Sequence, residues 1–139
     1  MYLQEVYALY STEPIRSTLD AGRLLQQQFA SADREYFISI NLDAKGRPIS
    51  YHVAGIGSVR AVHFPVDGVF KTALLQNAVS IIICHNHPSG NLEPSEEDID
   101  ATKLLVAAGD MLGIRVLDHF ILTPYDYVSL REERGDLFS

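Results

Sequence analysis

AVSIIICHNHPSGNLEPSEEDIDATKLLVAAGDMLG, residues 78–113, is the stretch on which the fold turns. It opens with a short, wholly apolar, β-branched run, the pattern of a strand buried on both faces. That run ends abruptly in HNHPSGNLEP, a polar segment rich in Gly and Pro that reads as a loop. SEEDIDATKLLVAAGDMLG then has the length and periodicity of a helix, closed by Gly113 as its C-terminal cap.

The chemistry lies at the two joints of this unit. In extended backbone, residues two apart point to the same side, so His85 and His87 can converge while Asn86 points away. A helix stepped by three and four aligns Ser95, Asp98, Ala101, Leu105, Ala108 and Leu112 on one face. The last four are core-type residues, so Ser95 and Asp98 are also expected to point inward. An inward carboxylate is costly unless it is paired, hydrogen-bonded or metal-bound, and the helix N-terminus favours its charged form. Two histidines and one carboxylate suit zinc and leave a position open for water, the mark of a catalytic site. Such a site needs a carboxylate to carry a proton. Glu35, at the head of a strand, is the candidate, with Glu5, Glu13 and Asp33 as alternatives. Ser95 could donate a hydrogen bond to a developing oxyanion.

Outward from this unit, mixed strands and helices predict an α/β sandwich around a central sheet. Residues 3–9 read as a strand, and a helix follows from Ser17, whose spacing to Asp20 suits a capping box. Leu25 and Phe29 supply that helix with an apolar stripe. REYFISINL alternates Ile38, Ile40 and Leu42 with Ser39 and Asn41, placing Glu35 on the polar side. DAKGRP turns the chain into a second strand over 50–54, forming a hairpin, and GIGSVRAVHF reads as loop with room for a short strand. After Pro65 a helix points Val66, Val69, Phe70, Ala73 and Leu74 at the core. IRVLDHFILT supplies one or two further strands, and loop and helix fragments follow from Pro124.

The chain of 139 residues fits a single domain over residues 1–139, with 18 acidic against 11 basic residues and a formal net charge of −7. That balance opposes sequence-independent DNA binding, which needs Lys and Arg to neutralise phosphates. A lone cysteine, Cys84, excludes an intrachain disulfide. The N-terminal residues lack a signal-peptide layout, and no apolar run reaches membrane-spanning length. A cytoplasmic protein without membrane contact is expected; its oligomeric state is open.

His85-x-His87, seven intervening residues beginning with Pro88, then Ser95-x-x-Asp98 resembles the JAMM metalloprotease signature of JAB/MPN domains. HNHPSGNLEPSEEDIDATKLLVAAGDMLGIRVLDHFIL, REYF and Gly57-Ser58 are similar to the RadC branch of that superfamily. The likeness runs over nearly the whole chain but covers the JAB domain alone, without the N-terminal helical DNA-binding region of longer RadC proteins. It implies an MPN/JAB-type, cytidine-deaminase-like sandwich, with a curved mixed sheet flanked by helices. It implies His85, His87 and Asp98 as ligands of one zinc ion, Glu35 as acid/base and Ser95 as stabiliser of the tetrahedral intermediate. The implied reaction is hydrolysis of a peptide or isopeptide bond. The RadC branch also carries a DNA-repair label. Where a His-Pro-Arg-Glu-like stretch is expected, this sequence reads Phe64-Pro65-Val66-Asp67, losing an Arg that could contact an anionic partner.

Two rival functions stand beside the hydrolase: a non-catalytic metal-binding MPN interaction module, and a DNA-repair or mobile-element accessory. Other residues take structural readings. Cys84 should point back into the sheet as an inert thiol. Asp118-His119 reads as a hydrogen-bonded structural pair in preference to a second metal pair. Ser58 reads as a turn hydroxyl, and His52 and His63 receive no role. HNH matches the nuclease of that name only in letters, Gly55-x-Gly57 lacks a full phosphate-binding fingerprint, and no His-Glu-x-x-His helix is present.

Overall fold

The computed structural model describes residues 5–8, 15, 18–29, 35–56 and 66–138. In chain order the elements are β1 (Glu5–Ala8), α1 (Thr18–Phe29), β2 (Tyr36–Leu42), β3 (Pro48–Ile56) and α2 (Val66–Leu75). They continue with β4 (Ser80–Asn86), α3 (Glu96–Leu112), β5 (Arg115–Leu122), β6 (Tyr127–Ser129), α4 (Leu130–Glu133) and a closing 3₁₀ turn, Gly135–Phe138. The expected capping box at Ser17, together with Ser58, His63, Glu13 and Asp33, lies outside the described residues, as does the Glu5 side chain.

Among the described residues the strands form one six-stranded sheet in the order β1-β3-β2-β4-β5-β6. All neighbours are antiparallel except β4 and β5, which run parallel. Parallel neighbours need a long crossover, and here α3 supplies it. The result is the expected mixed sheet flanked by helices.

Every residue of β4 is buried, as its β-branched run predicts. Ile81 and Ile83 join Val69, Phe70, Ala101 and Leu105 in a core between the sheet and helices α2 and α3. Ile82 and Cys84 project the other way, into a core with Ala21, Leu25, Ile38 and Phe120 against α1. Fully burying a side chain of the Ile, Leu or Phe class contributes about 1.5–3 kcal/mol, so these two layers set the position of β4 firmly.

The polar side of β2 is buried as well: Ser39 and Asn41 are completely buried, and Asn41 Nδ2 donates to Ser50 Oγ on β3 at 3.0 Å. This side faces α2 and α3, as does Phe37. Leu74 and Leu112, expected in the core, are about half exposed, at 53% and 48%, and Ser95, expected to point inward, is exposed at the N-cap of α3. The buried stripe of α3 is instead Asp98, Ala101, Thr102, Leu105 and Gly109. Gly109 is there because α3 presses on the start of β5: an added Cβ would lie 2.3 Å from the Ile114 carbonyl oxygen.

One irregularity in β5 matters for the site. Ile81 pairs with Val116, but the next residue, Ile82, pairs with Asp118, so β5 carries one extra residue. An extra residue reverses the alternation beyond it. Val116 accordingly belongs to the α2/α3 core, whereas Phe120 and Leu122 belong to the α1 core.

Candidate metal centre

Local folding places each group. His85 lies near the end of β4, its backbone in register with Phe37 on β2 and Ile121 on β5. By alternation it follows Ile81 and Ile83 onto the α3 face. His87, just past the strand, donates its main-chain N–H to the Leu122 carbonyl at 2.6 Å, which holds the exit of the chain against β5. Asn86 points away from both rings, as expected. Its Oδ1 accepts the Tyr36 N–H at 2.6 Å and ties the start of β2, next to Glu35, to the end of β4.

Asp98 is the third residue of α3. Ser95 is the N-cap: its Oγ accepts the Asp98 N–H at 3.1 Å, and Asp98 Oδ2 accepts the Ser95 N–H at 2.9 Å. This capping box, with Asp in the place usually taken by Glu or Gln, leaves the carboxylate directed at the histidines. Asp98 Oδ1 is 3.1 Å from His85 Nδ1, and Oδ2 is 3.6 Å from His87 Nε2. Glu35 Oε2 approaches from the β2 side, 3.8 Å from His85 Nε2. The two imidazoles meet edge to face, with centroids 4.9 Å apart.

His119 is a departure from expectation. It is fully buried, and the extra residue in β5 turns it onto the α3 face. Asp118 and His119 are hydrogen-bonded to each other, but through the main chain: the His119 N–H reaches Asp118 Oδ1, while the ring goes elsewhere, with Nδ1 2.7 Å from Thr102 Oγ1. Asp118 instead accepts the Ser129 hydroxyl and the Arg131 N–H. Donor atoms of His85, Asp98 and His119 lie within 4.8 Å of one another, a group that could hold a metal ion. His87 reaches the same carboxylate from the more exposed rim.

Electrostatics supports a cation here. Burial alone would raise the pKa of Asp98, but contacts with His85, with His87 and with the Ser95 amide outweigh it and hold the carboxyl well below its usual range. The contact with Asp98 raises the pKa of His87, against the effect of burial. Burial pushes the pKa of His119 down, to about 3, so the ring is neutral. His87 Nδ1 is 2.7 Å from the Asn91 carbonyl oxygen. A carbonyl can only accept, so the proton is on Nδ1, and Nε2 faces a carboxylate oxygen across a gap that only a proton or a metal ion makes favourable. The buried Nε2 atoms of His85 and His119 have no hydrogen-bond partner, which buried polar atoms rarely tolerate. Imidazole nitrogens around an ionised carboxylate, some of them unsatisfied, fit a divalent ion of the zinc class.

The RadC-like JAB domain family model matches residues 15–135. The chain belongs to the RadC-like JAB-domain family. A UPF0758 protein of Chloroflexus aggregans is 44% identical over 119 residues, covering 86% of this chain and 52% of that protein. A UPF0758 protein of the archaeon Methanococcoides burtonii is 41% identical over 129 residues, covering 93% and 56%. One of Bacillus cereus is 40% identical over 119 residues, covering 86% and 53%. This RadC-like chain thus spans about half the length of the curated relatives it matches. Among its described residues no helix is long and apolar enough to cross a membrane.

Sequence reasoning missed Thr102 and set His119 aside. Thr102 left a trace, as a polar residue one turn after Asp98 and beside Ala101 on the buried stripe. His119 enters the sequence reading only with Asp118, as the metal pair judged second to a structural one, and strand parity counted from Val116 puts it on the wrong face. Cys84 is buried among apolar side chains of the α1 layer, as expected, and burial pushes its thiol pKa up.

Proposed function

We propose that this RadC-like domain is a zinc-dependent hydrolase of the JAMM type that cleaves a peptide or isopeptide bond. The observation that carries the reading is the buried Asp98 carboxylate, flanked by His85 at 3.1 Å and His87 at 3.6 Å, with Glu35 reaching His85 from the opposite side. His85, His87 and Asp98 would hold the ion. When bound there, zinc would supply Lewis acidity, polarising the scissile carbonyl and making water easier to deprotonate.

The remaining work falls to the chain. Glu35 Oε2 is near enough to the histidines to take a proton from attacking water and return it to the departing amine nitrogen. Its side chain is 32% exposed, so a substrate can reach it from solvent. Ser95 Oγ uses a lone pair on the Asp98 N–H, which leaves its own proton to donate to the oxygen that gains charge during attack. Asn86 seats Glu35 by holding the adjacent residue. The main chain of β4, locked between β2 and β5, keeps both histidines oriented before substrate arrives.

The test is hydrolysis of a peptide and isopeptide library by purified protein, with chelator and metal analysis in parallel. About one zinc per chain and chelator-sensitive cleavage are expected. Glu35→Gln should keep the metal and lose cleavage. Undiminished cleavage in that variant would move the proton transfer to another group. A protein that never retains zinc would end the reading.

A further inference from the structure

The polar contacts behind the Asp98 carboxylate determine where the proton of His119 resides. Thr102 Oγ1 lies 2.7 Å from the Asp98 main-chain oxygen and 2.7 Å from His119 Nδ1. A carbonyl oxygen can only accept, and a threonine hydroxyl has one proton. That proton goes to Asp98, one turn earlier on α3, and the threonine presents a lone pair to the histidine. His119 Nδ1 must therefore be the nitrogen that bears hydrogen. The lone pair of the neutral ring is then on Nε2, which is buried and has no partner.

We propose that His119 is a fourth, deep donor to the cation of this site, with Thr102 as the residue that positions it. The proposal rests on the metal reading above and extends it beyond the set His85, His87 and Asp98. The donor atoms of His119, His85 and Asp98 already cluster within 4.8 Å. A ligating histidine usually donates its second ring N–H to a fixed acceptor, which sets the tautomer and the orientation of the ring. Thr102 does this for His119 as the Asn91 carbonyl does for His87. The ring of Phe37 contacts His85 and His119, with centroids 5.9 and 5.8 Å away, and gives this deep side an apolar wall. The ion would thus have four protein donors, with His87 on the partly exposed rim and His119 at the floor, and the attacking water would enter as a fifth, a number that catalytic zinc can reach.

X-ray absorption on the zinc-loaded protein counts imidazole ligands directly. Three per ion are expected in the wild type, and two in either His119→Gln or His87→Ala. Chelator competition should show zinc affinity falling 10- to 100-fold in Thr102→Val, the range for loss of such a supporting partner, with Thr102→Ser restoring it. Long-range nitrogen–proton NMR of the metal-free wild type should find the His119 proton on Nδ1, a readout that requires no variant to fold. Two imidazoles in the zinc-loaded wild type would overturn the His119 assignment and leave the hydrolase reading standing, as would unchanged affinity in Thr102→Val. A wild-type protein that binds no zinc would defeat both.

Discussion

Replacing Gly109 by alanine tests the contact that keys α3 onto β5. In an ordinary helix interior this change is favourable by about 1 kcal/mol, because alanine gives up less conformational freedom than glycine. Here the new Cβ would lie 2.3 Å from the Ile114 carbonyl oxygen and 3.3 Å from Val116 Cγ2. The oxygen is main chain and cannot swing aside: the Ile114 N–H is bonded to the Gly109 carbonyl at 2.9 Å, and β5 begins at the next residue. Relief requires α3 to lift from the sheet, loosening Leu105, Ile114 and Val116 in the shared core. Overpacking of a tight core costs about 1–3 kcal/mol and more against rigid backbone. The clash should therefore outweigh the helix gain, for a net loss of about 2 kcal/mol. For a domain of this length that corresponds to a melting temperature lower by about 6–8 °C. Thermal and urea unfolding should be followed with chelator present, so that bound metal does not add its own stabilisation. A midpoint at or above that of the wild type would refute the close approach, since helix propensity would then dominate.

Other consequences are equally direct. Ser95→Gly should cost only a few tenths of a kcal/mol at the cap, yet lower turnover by about 10²–10³ if the hydroxyl serves the oxyanion; parallel unfolding and rate measurements separate the two, and an unchanged rate removes Ser95 from the mechanism. Cys84, whose thiol pKa is raised by burial, should resist thiol reagents at pH 8 in the native protein and react fully in denaturant; rapid native labelling would contradict its placement. In metal-free protein, His87 should titrate by NMR above its ordinary value because of Asp98. The stability from this pairing is full below the unfolded pKa of about 6.5 and is lost as pH rises through the folded value. Apo-protein that gains stability over that range would reverse the assignment. Ser129→Ala removes the hydroxyl that donates to buried Asp118 and accepts the Glu132 N–H. It should destabilise the protein by about 1–3 kcal/mol, and a neutral result in urea would show that the pair contributes little.

Much of this protein is legible in residues 78–113. A β-branched apolar run, a His-x-His at its end and an inward Asp on the following helix are local patterns, each read from a period of two or 3.6 residues. Strand alternation correctly separated Cys84 from His85, and the helical stripe correctly turned Asp98 inward. The same patterns misjudged Leu74 and Leu112, because whether an apolar side chain is covered depends on what another part of the chain lays over it. Nor could they show that Ser39 and Asn41 are buried, since burial of both sides of β2 becomes visible only once α2 and α3 are packed. His119 lay furthest from view. One extra residue in β5, opposite the Ile81–Ile82 step of β4, reverses its facing and brings it to Asp98 and His85. Periodicity along one strand carries no information about a register shift against its neighbour, because that shift is set by pairing between strands far apart in the chain. The sequence alone determined which residues could bind a cation from β4 and α3; the tertiary structure alone decided that β5 brings another.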